Sequence, residues 1–264
     1  MLVSMKDMLQ HALRDGYAVG QFNINNLEWV GAVLSTAQQC RSPFILGVSG
    51  GTAKHMLGLK CIHDIVVNAM EYLHIDVPVA LHLDHGTSRE ACEAAIAAGF
   101  SSIMFDGSHL PFRENLAITR HLVTLAHSKG ISVEAELGTI AGSEDGIVNS
   151  EVIYADPQEC YTLVTETQVD CLAAALGSTH GLYKGKARLG FTEMKAIAEQ
   201  VKVPLVLHGG TGIADEDMRR AIACGTAKIN VNTENMYAWC QQVKAIFAAD
   251  TGHDVNDPRK VIAQ

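Results

Sequence analysis

Apolar residues along this chain come in short blocks. Nearly continuous runs recur at Tyr17–Phe22, Phe44–Val48, Val77–Leu83, Ser101–Phe105, Ser132–Leu137, Cys171–Leu176, Pro204–Leu207 and Ala227–Val231. Runs of this length without polar alternation suit parallel strands that are buried on both faces. Between several of them the period changes. Leu27–Cys40, Ser88–Ala98, Glu114–Lys129 and Asp215–Cys224 repeat their apolar residues at helical spacing. Ser88 and Asp215 are helix-starting residues, while Gly99, Gly130 and Gly225 stand where helices stop.

Eight strands alternating with helices over 264 residues predict an α/β fold, a (β/α)8 TIM barrel spanning residues 1–264 as one domain. An open, doubly wound sheet is the alternative, because counting strands does not show closure. Most connections are short. The exception is Gly138–Asn149, which is Gly-rich and acidic through Gly142-Ser143-Glu144-Asp145-Gly146 and is expected to form a mobile lid.

A barrel of this kind carries its chemistry at the C-terminal ends of its strands. Polar residues fall there one after another: Asn23, Ser49, Asp84 with His85, Asp106 with Ser108, Glu136, His180, His208, then Asn230, Asn232 and Thr233. A lone histidine beside an apolar run is usually a satisfied core or surface residue. His85, His180 and His208 at the same end of three strands are different, because the fold gathers strand ends. Three neutral imidazoles with an open position make the ligand set of a catalytic zinc ion. Asp84, adjacent to one of them, is placed to act as an acid or base. His82 shares a face with Asp84 by strand alternation and is expected to support the site from below. His11, His55, His63, His74, His121, His127 and His253 read as surface residues, and His109 has no evident partner.

Gly209-Gly210-Thr211-Gly212 precedes one helix, Asn230-Val231-Asn232-Thr233 opens another, and Gly181 follows His180. Backbone N–H groups at helix N-termini bind phosphate, and barrels often hold one beyond strands seven and eight. These turns are therefore the candidate phosphate cradle.

Composition narrows the function classes. Hydrophobic residues make up 48% and charged residues 19%, enough apolar material for one large core. The net charge of −9 argues against a nucleic-acid binder, though a metal and local cations can still hold an anionic small molecule. Seven cysteines without a Cys-x-x-Cys pair read as reduced thiols. Met1–Asp7 carries no leader pattern and no apolar run reaches membrane-spanning length, so a cytoplasmic protein with no membrane partner is expected.

The segments LHLDHG, VEAELG, GSTHG, YKG, VLHGGTG and KINVNTE occur in the order found in one family. From Tyr17 to Arg259 the chain resembles the class II, metal-dependent ketose-bisphosphate aldolases of carbohydrate metabolism and glycolysis. The resemblance implies reversible cleavage of fructose 1,6-bisphosphate to dihydroxyacetone phosphate and glyceraldehyde 3-phosphate through a zinc-stabilised enediolate. Tagatose 1,6-bisphosphate and 6-phospho-5-dehydro-2-deoxygluconate are the alternative substrates. It implies that His85, His180 and His208 hold Zn2+, with Asp106 and Glu136 as second metal-site positions. Asp84 would move the C4 hydroxyl proton, and Glu144 a proton on the dihydroxyacetone phosphate carbon. Gly181, Gly209, Gly210, Thr211, Asn230, Val231, Asn232 and Thr233 would cradle the C1 phosphate and neighbouring hydroxyls, with Asn23 and Ser49 as further substrate contacts. Arg259 would reach the distal phosphate from a neighbouring subunit of a homodimer or homotetramer. A monovalent cation, Na+ or K+, would accompany the phosphate. The family carries another helix after Asp257-Pro258-Arg259, so the end at Gln264 implies a missing C-terminal helix.

Three rival readings stand beside this one. A Schiff-base aldolase would use Lys228 or Lys184 as its nucleophile. A metal-dependent hydrolase barrel would favour His-x-His on the first strand, where this chain has Gln21-Phe22-Asn23. A barrel that binds a sugar phosphate without catalysis would have no use for Asp84 and Glu144.

Overall fold

A computed structural model describes residues 1–144, 147–149, 152–183, 185–249 and 257–262. In chain order the elements begin with α1 (Met5–Asp15), β1 (Val19–Asn23), α2 (Leu27–Cys40), β2 (Phe44–Val48), α3 (Gly50–His55) and α4 (Leu59–Tyr72). There follow β3 (Val79–Gly86), α5 (Arg89–Ala98), β4 (Ser102–Phe105), α6 (Phe112–His127) and β5 (Ser132–Leu137). Next come β6 (Ala141–Glu144), β7 (Ile147–Asn149), α7 (Pro157–Thr167), β8 (Cys171–Ala174), β9 (Thr179–His180) and α8 (Phe191–Val201). The last are β10 (Leu205–Leu207), α9 (Asp215–Ala223), β11 (Thr226–Val231), α10 (Thr233–Ala249) and α11 (Arg259–Ile262).

Eight parallel strands close into a barrel in the order β1-β2-β3-β4-β5-β8-β10-β11, with β11 pairing back onto β1. Closure excludes the open doubly wound sheet. The eight runs marked in the sequence are the eight barrel strands, with ends moved by a few residues. The main difference is β3, which runs on through Gly86 and so carries Asp84 and His85 within its last turn of pairing. Ser88 caps α5 by accepting from the Ala91 N–H, and Gly99 ends it at φ 96°.

Strand alternation divides the side chains between two cores. Outward positions such as Phe44, Leu46, Leu81, Leu83, Val133 and Ala135 pack against the helices. Inward positions Val19, Ile45, Ala80, Met104, Ala173 and Val206 form the base layer of the interior. That base is plugged by α1, whose Met5, Met8, Leu9 and Ala12 are buried against it. Above it the interior turns polar: Gln21, His82, Glu134 and Lys228 are all fully buried. The helices α1, α3, α4, α7, α8 and α11 have no counterpart among the helical repeats read from the sequence.

Within Gly138–Asn149, where the sequence reading has one long connection, two short strands form, with β6 and β7 antiparallel through Gly142↔Asn149, Ser143↔Val148 and Glu144↔Ile147. Strand β6 also pairs in parallel with β9, Gly142 opposite His180. Asp145-Gly146 is a dipeptide favoured in two-residue hairpin turns. It lies outside the described residues, as do Lys184 and His253.

Candidate active site

Strands β3 and β10 and the short β9 deliver His85, His208 and His180 to one point at the C-terminal mouth of the barrel. One nitrogen from each ring lies within 4.8 Å of those of the others. The ring centroids are 4.6 Å apart for His85 and His208, 5.1 Å for His85 and His180, and 5.8 Å for His180 and His208. The planes cross at 73° to 86°, so the rings meet by their edges instead of stacking. His85 Nε2 and His208 Nδ1 are 2.9 Å apart. Three convergent imidazole nitrogens on rigid strand ends suit a tetrahedral divalent cation with one open position.

Carboxylates flank the cluster. His85 Nδ1 lies 2.9 Å from Asp106 Oδ2 and 3.8 Å from Glu136 Oε2. His85, Asp106 and Glu136 thus form a second group able to hold an ion. Asp106 also accepts from the backbone N–H and the hydroxyl of Ser108. Burial works against its charge, yet the bonds from His85 and Ser108 prevail and hold its carboxyl well below the usual range. His85 itself sits at φ 50°, in the left-handed region, at the point where the pairing of β3 with β4 shifts register. Strain of this kind at a candidate ligand position is the kind that accompanies functional sites.

Asp84 is fully buried beside these rings. Its Oδ2 accepts from Asn23 Nδ2 at 2.9 Å and its Oδ1 from Asn230 Nδ2 at 3.3 Å. Asn230 Nδ2 also lies 3.3 Å from His208 Nδ1, which links the carboxylate to the histidine cluster.

The groups expected around a phosphate line one cavity of about 310 Å³: Asn23, Ser49, Gly181, Gly209, Thr211, Asn230, Asn232 and Thr233, together with His180, Asn25 and Met236. Two glycines are required by close approach. A Cβ on Gly209 would stand 2.1 Å from the Thr179 carbonyl oxygen, and one on Gly142 would stand 2.2 Å from that of His180. Both have positive φ, so β9 is clasped between the hairpin and the loop after β10. Tyr183 ties the same loops together, its hydroxyl donating to the Gly209 carbonyl and accepting from the Thr179 N–H.

Some expected residues lie elsewhere. Gly210 braces the cradle, donating its N–H to the Asn230 carbonyl. The side chain of Val231 packs on the outer core, because the alternation that sends Asn230 inward sends Val231 outward. Arg259 is exposed at the start of α11, with its guanidinium on Asp257. The backbone of Glu144 is in β6, and its side chain lies outside the described ones.

Below the histidines the structure adds Glu134, to which the sequence reading gave no role, and gathers Lys228 and His82 around it. Glu134 is fully buried, with Oε1 2.9 Å from His208 Nε2 and Oε2 accepting from Lys228 Nζ at 2.8 Å. Burial disfavours its charge, but Lys228 and the bond from His208 outweigh that and hold the carboxyl well below its ordinary value. His82 Nδ1 meets Ser102 Oγ at 2.8 Å, and burial first, then Lys228, pushes its pKa down to about 3. The signal for Glu134 was present in the alternation Ser132, Glu134, Glu136, which places all three on one face of β5. Lys228 is fully buried with its Nζ donating to Glu134 and lines no part of the polar cavity, which speaks against a Schiff-base role.

A closed parallel barrel with a histidine cluster, flanking carboxylates and a glycine-lined polar cavity at its C-terminal mouth defines a barrel enzyme with a metal-ligand set. Comparison with known proteins narrows this. The profile of the family described as fructose-bisphosphate aldolase class-II matches residues 3–264. A fructose-bisphosphate aldolase of Geobacillus stearothermophilus is 58% identical over 99% of this chain and 90% of its own. One from Staphylococcus aureus is 54% identical over 99% and 91%. Among solved structures, the YdjI aldolase of Escherichia coli K12 superposes with a TM-score of 0.84 at 33% identity, covering 100% of this chain and 94% of its own. The chain belongs to the class II fructose-bisphosphate aldolase family and is a carbon–carbon lyase acting on phosphorylated sugars.

Proposed function

We propose that this chain catalyses the reversible aldol cleavage of fructose 1,6-bisphosphate with a zinc ion held by His85, His180 and His208. The observation that carries the reading is the convergence of these three rings beside the buried Asp84, at the edge of a polar cavity. The donor set fits the ion: three nitrogen ligands, with Asp106 and Glu136 near enough to offer a second position. When bound, zinc supplies a Lewis acid for the negative charge that develops on the ketose oxygens.

The chain's own groups account for the rest. Breaking the C3–C4 bond turns the C4 hydroxyl into an aldehyde, so that hydroxyl must lose its proton. The Asp84 carboxylate takes it, and Asn23 and Asn230 hold the carboxylate by donating to one oxygen each. The bond's electron pair stays with C3, and Glu144 returns a proton there. Gly181, Gly209, Thr211, Asn232 and Thr233 hold the C1 phosphate, helped by the N-terminal end of the 17-residue α10. Asn23 and Ser49 line the same cavity and contact the sugar. A monovalent cation accompanies the phosphate, and Arg259 reaches the distal phosphate from a neighbouring subunit of a homodimer or homotetramer. Among the described residues no helix is long and apolar enough to cross a membrane.

Fructose is favoured over tagatose by the fructose-bisphosphate aldolases that are 58% and 54% identical to this chain over 99% of its length. The test is cleavage of the two ketose bisphosphates side by side, with and without a chelator. The expected result is faster cleavage of fructose 1,6-bisphosphate, lost with chelator and restored by zinc. Activity that survives full metal removal would overturn the His85, His180 and His208 assignment. Faster cleavage of tagatose 1,6-bisphosphate would reverse the substrate, and inactivity on both would point to the deoxygluconate phosphate.

A further inference from the structure

A buried ion pair directly beneath the histidine cluster is unexplained by stability. Taking Glu134 and Lys228 out of water is costly, and apolar residues of the same volume commonly serve a core as well or better. Both side chains are nevertheless fully buried, 2.8 Å apart, in the middle layer of the barrel. The arrangement around Glu134 is specific. Its Oε2 takes Lys228, with Cys171 Sγ 3.7 Å away, while its Oε1 is directed at His208 Nε2.

We infer that Glu134 is a positioning residue that sets which nitrogen of His208 faces the metal, and that Lys228 holds Glu134 in place to do so. A carboxylate only accepts hydrogen bonds, so the His208 nitrogen facing it carries the proton. In a neutral ring the lone pair is then on Nδ1, the atom 2.9 Å from His85 Nε2. Asp106 does the same for His85 from the other side, meeting its Nδ1 and leaving Nε2 toward the cluster. The two rings thus present different nitrogens, each selected by the carboxylate behind it. Asp106 lies at the rim and can itself reach an ion. Glu134 is beneath His208 and acts only through that ring. Lys228 matters because it occupies the second oxygen and keeps the carboxylate from turning toward His82, whose Nε2 is 3.6 Å from that oxygen.

The inference rests on reading His85, His180 and His208 as the metal set, and the experiment separates the two. Zinc affinity is measured by chelator competition on the full chain, and the His208 tautomer by nitrogen-15 NMR of the metal-free protein. The variants are Glu134→Gln and the double change Glu134→Leu with Lys228→Met, which removes both charges together and keeps the interior filled. The wild type should show His208 protonated at Nε2. The double variant should fold, lose that preference and bind zinc about 10- to 100-fold more weakly. Glu134→Gln keeps an oxygen toward His208 and should lose less. A folded double variant with wild-type zinc affinity overturns this inference alone. A wild type that takes up no zinc overturns the metal assignment and this inference with it. Should the double variant fail to fold, Glu134→Gln decides: weaker zinc binding supports the inference, and unchanged binding overturns it.

Discussion

Asp84 shows how far a single residue could be read in advance. Its place beside His85 marked it as the acid–base group, and the structure buries it among two amides that donate to it. Substituting Asp84→Ala should lower kcat by about 10²- to 10⁴-fold, the usual contribution of a positioned proton-transfer group. Metal content should stay unchanged, because the three imidazoles are untouched. Steady-state kinetics with metal analysis on the same preparation tests this, and joint loss of metal and activity would recast Asp84 as a ligand. Glu134 is the contrasting case. The alternation in VEAELG was visible, yet nothing local distinguishes a carboxylate aimed at His208 from one that supports another strand. That distinction needs Lys228 and His208, which come from strands distant in sequence.

At the scale of elements, the apolar runs were legible because a strand buried on both faces has no polar positions to blur it. The packing of the Gly138–Asn149 hairpin was not, because Thr179–His180, with which β6 also pairs, lies some forty residues away. Local glycine content signals a turn without saying what the turn packs on. The clasp around β9 makes a sharp prediction. Gly209→Ala would place a methyl 2.1 Å from the Thr179 carbonyl oxygen, at a φ of 65° that disfavours any side chain. The protein should lose about 1 to 3 kcal/mol of stability, the range for a strained backbone position, and bind zinc more weakly through displacement of His180. Urea denaturation and chelator competition measure the two effects. A variant with wild-type values in both would show that the clasp yields freely.

For the whole molecule, the polar interior has a consequence for pH. Burial pushes His82 down to about 3, and His208 also below its ordinary value of 6.5. A group whose pKa is lowered by folding takes up its proton first in the unfolded chain. Stability from these two rings is therefore complete above about pH 6.5 and drains as the pH falls below it. The lowered carboxyls of Asp106 and Glu134 add a loss of the same sign, but only below the carboxylate range. The metal-free protein should thus lose about 1 kcal/mol per pH unit through His82 between pH 6.5 and 4.5, with a further loss of the same sign from His208. Thermal melts in chelator across that range check the slope, and a flat melting temperature would contradict it.

By itself the amino-acid sequence determined the alternation of strands and helices, the ends at which chemistry would sit, and the residue types able to hold a metal and move a proton. It could do so because periodicity and residue chemistry are local properties, written in adjacent positions. Only the tertiary structure decided that the sheet closes and that α1 plugs its base. It also decided that Glu134 and Lys228 meet under His208, and that Val231 turns away from the cavity. Each of these depends on contacts between segments far apart along the chain, whose geometry exists only once the barrel has brought its strands together.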